Sequence, residues 1–124
     1  MSKILIVDDE KKVREVFRKL LDLEHYEVVE AGDVPTATQH LVDDPAITLV
    51  LLDINIPQVD GGILFRLIRM LDQKVKVIVT SAYTIEDQKQ RIAQADDYYD
   101  KTQGMDILLA KIKRLFTSEA QHAY

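Results

Sequence analysis

Three short stretches of this chain are apolar almost without interruption: "KILIVD" at 3–8, "TLVLLD" at 48–53 and "KVIVTS" at 76–81. Each is too short for an ordinary buried helix, and each is rich in Val, Ile and Leu. A strand with one face in water alternates apolar and polar residues, whereas a strand covered on both faces reads as a continuous apolar run. Doubly covered strands belong to parallel sheets, and parallel strands need a crossover, usually a helix, between them. These three runs therefore constrain the fold more than any other feature.

The intervening segments supply the helices. In "EKKVREVFRKLLDLE" (10–24), Val13, Val16, Phe17, Leu20 and Leu21 fall on one stripe at helical spacing. "YEVVEA" (26–31) is a shorter, more polar strand suited to a sheet edge. Gly32 breaks the chain, and Asp33 is placed to cap a helix with Pro35 in its first turn and Leu41 near its end. After the third strand and a loop containing Pro57, the residues Leu64, Leu67, Ile68 and Leu71 repeat the helical spacing. A weaker helical pattern covers 85–95, "DYYD" (97–100) is a short fifth strand, and a last helix over about 104–116 turns Leu108, Ile112 and Leu115 inward.

Five strand–helix units with right-handed crossovers leave few topologies for 124 residues. The expectation is an α/β, three-layer, doubly wound flavodoxin-like fold with a parallel five-stranded sheet in the order 2-1-3-4-5. Residues 1–117 make one domain, and 118–124, without periodicity, read as a tail or the start of a linker.

The charge balance, 21 acidic against 16 basic residues, is the reverse of what direct nucleic-acid binding by this domain would need. The absence of cysteine excludes disulfides and thiolate metal sites. No apolar run is long enough to span a bilayer, so a cytoplasmic protein is expected. His25, His40 and His122 share no ligand spacing and read as surface residues.

Ligands of such sheets bind beyond the carboxyl ends of the strands. At those ends stand Asp8-Asp9, Asp53, Thr80-Ser81 and Asp100-Lys101. Taken alone, Asp8 and Asp9 suit a helix N-terminus, Asp53 suits a turn, and Lys101 suits a solvated surface. Together they gather three carboxylates at one rim, where mutual repulsion raises pKa values at ~1.4 kcal/mol per unit. A cation relieves that repulsion, and an all-oxygen ligand set favours a hard divalent ion such as Mg²⁺. Lys101 as a point charge suits a phosphoryl group.

The acidic pair after "ILIV", the aspartate in "VLLDINIPQVDG", the hydroxyl in "VIVTSAY" and the lysine in "DDYYDK" stand in one order along 2–117, with 44 positions between Asp9 and Asp53. This ordered set resembles the receiver domain of two-component response regulators. The resemblance implies that Asp53 accepts a phosphoryl group from a sensor histidine kinase or a histidine phosphotransfer protein. It also implies that Asp8 and Asp9, Asp9 more directly, hold Mg²⁺ with Asp53 and the backbone carbonyl of Asn55, and that Lys101 neutralises phosphoryl oxygens. The switch hydroxyl is Ser81 when "SAY" is aligned and Thr80 when "VT" is; strand alternation lets only one face the site, and Ser81 fits better. Tyr98 corresponds to the switch aromatic, or is a half-packed strand residue. The strand 4–helix 4–strand 5 face would then be read by a C-terminal output domain or a separate protein. Dimerisation on phosphorylation is compatible with the resemblance, but no pattern in the residues carries it.

Three features depart from the family. Thr102 stands where a proline usually follows a cis bond, and a cis bond before threonine would cost ~3 kcal/mol, so a trans bond or a rearranged loop is expected. Ser81 and Lys101 are separated by 20 positions, fewer than usual, and Gln94 replaces a common glycine. Helix 4 should accordingly be short or irregular. Two alternatives bear on function. "DINI" (53–56) resembles the nucleophile motif of haloacid-dehalogenase-type Mg²⁺ phosphatases, but those need a second acid where Asn55 stands. A pseudo-receiver, a binding module that takes no phosphoryl group, is opposed by the set Asp9, Asp53 and Lys101.

Overall fold

The apolar runs form the centre of a parallel sheet. The computed structural model describes residues 3–56, 61–72 and 74–122; Pro57 and the last two residues lie outside them. Five strands, β1 (Lys3–Val7), β2 (Glu27–Ala31), β3 (Ile47–Asp53), β4 (Lys76–Ser81) and β5 (Asp97–Asp100), alternate with five helices. The helices are α1 (Lys11–Leu23), α2 (Val34–Asp43), α3 (Gly61–Leu71), α4 (Ile85–Arg91) and α5 (Met105–His122). The sheet order is β2-β1-β3-β4-β5, with every pairing parallel. This is the expected doubly wound flavodoxin-like fold.

Alternation along the strands explains why the middles of the runs carry no polar residue. Ile4, Ile6, Leu49, Leu51, Ile78 and Tyr99 point to one side, where Phe17 and Leu21 of α1 and Leu108 and Ile112 of α5 cover them. Leu5, Val7, Val50, Leu52, Val77, Val79 and Tyr98 point to the other, against Ala37 of α2 and Leu64 and Ile68 of α3. Both faces are core, so a polar residue on β3 or β4 would be buried on either side. Polar residues in β3 and β4 are confined to the first two and last two positions.

The helix boundaries follow from local chemistry. Asp33 caps α2 by accepting the Thr36 N–H at 2.8 Å, with Pro35 in the first turn. Thr84 caps α4 by accepting the Asp87 N–H at 3.2 Å.

Four details correct the sequence reading. The helix expected over 85–95 stops at Arg91, because Ile92 leaves the helical path (φ −131°, ψ 101°) and buries its side chain in the core. The last helix runs through His122 instead of ending near 116; the added segment "TSEAQH" contains neither glycine nor proline to stop it. Val16 on α1 and Leu71 at the end of α3, both assigned inward by spacing, are exposed. His40, read as a surface residue, is half-buried, with Nε2 3.1 Å from the Glu30 carbonyl. The Lys101–Thr102 bond is trans, as expected.

Candidate functional site

Asp8 follows β1, Asp53 ends β3, Ser81 ends β4 and Lys101 follows β5. Because β1, β3, β4 and β5 are consecutive neighbours, the four residues lie along one carboxyl edge. Asp8 and Asp53 are almost wholly buried, at 1% and 2% exposure. Two buried carboxylates demand a counter-charge. Lys101 supplies it: its Nζ is 2.7 Å from Asp8 Oδ2 and 3.3 Å from Asp53 Oδ2.

Backbone N–H groups complete the arrangement. Asp8 Oδ1 accepts the Glu10 N–H at 2.9 Å, and Asp53 Oδ1 accepts the Asn55 N–H at 3.0 Å. Arg14, one turn into α1, donates to the Asp8 carbonyl at 2.7 Å and to Glu30 at 3.1 Å, so the acidic turn is held from below. Burial pushes the Asp53 carboxyl above its ordinary value, aided by the charge of Asp8 and opposed by the Asn55 N–H and Lys101. Burial alone would lower the Lys101 pKa, yet the Asp8 hydrogen bond and both carboxylate charges raise it. The lysine remains protonated where it stands.

Among the described residues, Asp8, Asp9 and Glu10 bring carboxylate oxygens within 4.8 Å of one another. Asp9 and Glu10 are exposed, and Asp53 faces Asp8 across the Lys101 ammonium. Asp8, Asp9 and Asp53 against one lysine leave two negative charges uncompensated, a charge and an all-oxygen donor set that fit Mg²⁺. Asn55 is exposed at the same rim.

Thr80 and Ser81 are both buried, on opposite faces of β4. Thr80 is registered with Asp53 and continues the line of Ile78 towards α1 and α5. Ser81 continues the line of Val77 and Val79, the face that also holds Tyr98. Ser81 Oγ accepts the Tyr83 N–H at 3.1 Å, and its carbonyl accepts the Lys101 N–H at 2.7 Å. Tyr98 is buried rather than half-packed; its hydroxyl donates to the Ile92 carbonyl at 2.7 Å and accepts the Ala95 N–H at 3.1 Å.

Three residues at or near the site escaped sequence reasoning. Glu10 looked like part of a helix start. Arg14 stands one turn beyond the acidic run, a position from which an arginine can reach back, so its signal was present. Gln88 carries no signal, since a glutamine in a polar helix reads as solvated; its amide is buried and bridges the Tyr83 and Tyr99 carbonyls.

The site is a buried acid pair bridged by one lysine at the carboxyl edge of a parallel α/β sheet of order 2-1-3-4-5. Residues 4–113 match the family model of the response regulator receiver domain, and the chain belongs to that family. It is 34% identical to the transcriptional regulatory protein YxdJ of Bacillus subtilis, over all of this chain and 52% of that protein. It is 32% identical to the response regulator MprA of Mycobacterium ulcerans, over 91% of this chain and 49% of that protein. It is also 34% identical to part of the autoinducer sensor kinase/phosphatase CqsS of Vibrio cholerae, over 89% of this chain and 17% of that protein. The chain thus spans about half the length of the two regulators.

Solved structures agree. A CheY-like receiver domain protein from Methanospirillum hungatei superposes with a TM-score of 0.87 at 27% identity, covering 98% of both chains. The response regulator TrrA of Thermotoga maritima, solved in complex with Mg²⁺ and beryllofluoride, gives 0.83 at 32% identity, covering 93% of this chain and 99% of that one. No described helix is long and apolar enough to cross a membrane.

Proposed function

We propose that Asp53 is the phosphoacceptor of this receiver domain and that phosphorylation reshapes the β4–α4–β5 surface. The observation that carries the reading is the pairing of one ammonium, Lys101, with two buried carboxylates from β1 and β3. An Asp53 oxygen attacks the phosphorus of a phosphohistidine on a sensor kinase or phosphotransfer protein. The P–O bond forms as the P–N bond breaks, and the electron pair returns to the imidazole, which takes a proton from solvent.

Asp8, Asp9, Asp53 and the Asn55 carbonyl are the residues that would hold Mg²⁺, with Glu10 near enough to Asp8 and Asp9 to share the site. Bound Mg²⁺ would neutralise the acids and draw charge from the phosphoryl oxygens. Lys101, already protonated and placed beside Asp53, turns to those oxygens as phosphorylation adds roughly two negative charges. Ser81 is the switch hydroxyl, because it alone of the two candidates lies on the face of Tyr98. Residues 1–117 form the receiver unit, a signalling domain of the cytoplasm whose surface is read by an output domain or a separate protein.

The test is exposure to acetyl phosphate with Mg²⁺, followed by intact-mass measurement. The expected result is a gain of one phosphoryl group by the wild type and none by Asp53→Asn. Labelling that survives the substitution refutes the assignment.

A further inference from the structure

We propose that Gln88 is a latch that joins the Ser81 end of β4 to the Lys101 end of β5, and that it opens when the switch hydroxyl turns to a phosphoryl group. The inference rests on the reading of Asp53 as phosphoacceptor.

Helix α4 has seven residues, and its one buried side chain is the polar Gln88. A helix of about two turns has little stability of its own and depends on what it docks against. An apolar contact tolerates sliding, but an amide held by two carbonyls fixes direction. Gln88 Nε2 uses both its protons, at 2.9 Å to the Tyr83 carbonyl and 2.9 Å to the Tyr99 carbonyl. Its Oε1 is buried without a hydrogen-bond partner, which is unfavourable. The docked amide is therefore incompletely satisfied.

The two carbonyls are not arbitrary. Tyr83 gives its N–H to Ser81 Oγ, and Tyr99 lies two residues before Lys101, whose N–H meets the Ser81 carbonyl. Ser81, Tyr83, Gln88, Tyr99 and Lys101 thus form a closed circuit through both strand ends. When Ser81 Oγ donates to a phosphoryl oxygen and is drawn inward, the Tyr83 turn follows, and the carbonyl held by Gln88 moves away. A contact made in one state only biases the equilibrium towards that state, so its removal favours the other.

The test uses Gln88→Met, an apolar side chain of similar length, with beryllofluoride and Mg²⁺ as the probe. Amide exchange over residues 85–91 of the unliganded variant is expected to rise about tenfold, with the core strands unchanged. Beryllofluoride is expected to bind the variant about fivefold more tightly than the wild type. Unchanged exchange together with equal or weaker binding overturns the latch. In the wild type, the Gln88 side-chain amide protons are expected to exchange slowly and to lose protection on beryllofluoride binding. Fast exchange in the unliganded protein overturns the proposal even if the variant does not fold. Failure of the wild type to bind beryllofluoride overturns the phosphoacceptor reading and the opening of the latch with it, whereas fast exchange of the Gln88 amide overturns the latch alone.

Discussion

Lys101 reaches from the end of β5 to Asp8 at the end of β1, Nζ to Oδ2 2.7 Å, across the width of two intervening strands. Asp53 lies on the way, 3.3 Å from the same nitrogen. A single ammonium is therefore shared by two buried acids, and the stability of the metal-free domain is tied to it.

Lys101→Ala leaves Asp8 and Asp53 buried without their cation. Breaking a buried pair from one side costs about 3 kcal/mol. The expected outcome in urea denaturation is a loss of that order in the presence of a chelator, largely restored by millimolar Mg²⁺ because the acids regain a counter-ion. A loss that Mg²⁺ does not reverse would show that Lys101 acts through packing and not through charge.

Glu30 on β2 ties α1 to the sheet, with Arg18 at 2.7 Å and Arg14 at 3.1 Å. Burial would raise its pKa, but the hydrogen bonds from Arg18 and Arg14 outweigh that and hold the carboxyl below its ordinary value of 4.5. A depressed acid binds fewer protons folded than unfolded, so its stabilisation is complete above 4.5 and disappears as pH falls through the folded value. In Glu30→Gln the dependence of the urea midpoint on pH below 4.5 should flatten, with lower stability than wild type at neutral pH. An unchanged acid limb would contradict the pairing.

His25 closes the turn between α1 and β2 with φ at 64°, the left-handed region. Its N–H bonds the Asp22 carbonyl and the Tyr26 N–H bonds the Leu21 carbonyl, the pattern in which a helix end favours glycine. His25→Gly removes the Cβ penalty at the cost of some chain entropy, and a gain of about 0.5–1 kcal/mol is expected from the denaturation midpoint. A loss of stability would mean that the imidazole makes a contact worth more than the backbone strain.

The strands and the residues at the sheet's edge were legible in the residues themselves, whereas the order 2-1-3-4-5 was expected as the commonest arrangement of five such units. An apolar run covered on both faces tells where each strand stops, and the first polar residues beyond β1, β3 and β5 are Asp8, the terminal Asp53 and the Asp100-Lys101 pair. The end of α4 was not legible, because Ile92 continues the helical spacing and only the open core position draws it inward.

What the sequence determined by itself is the local pattern: which segments are strands, which are helices, and which side chains must stand at the strand ends. Hydrophobic periodicity is a short-range property and survives without knowledge of neighbours. Only the tertiary structure decided the partners: that Lys101 bridges Asp8 and Asp53, that Arg14 holds the acidic turn, that Ser81 shares the face of Tyr98, and that Gln88 turns into the core. These contacts range from 5 residues apart, Gln88 to the Tyr83 carbonyl, to 93, Lys101 to Asp8, and in each a polar side chain goes inward or outward according to whether a buried carbonyl or carboxylate awaits it.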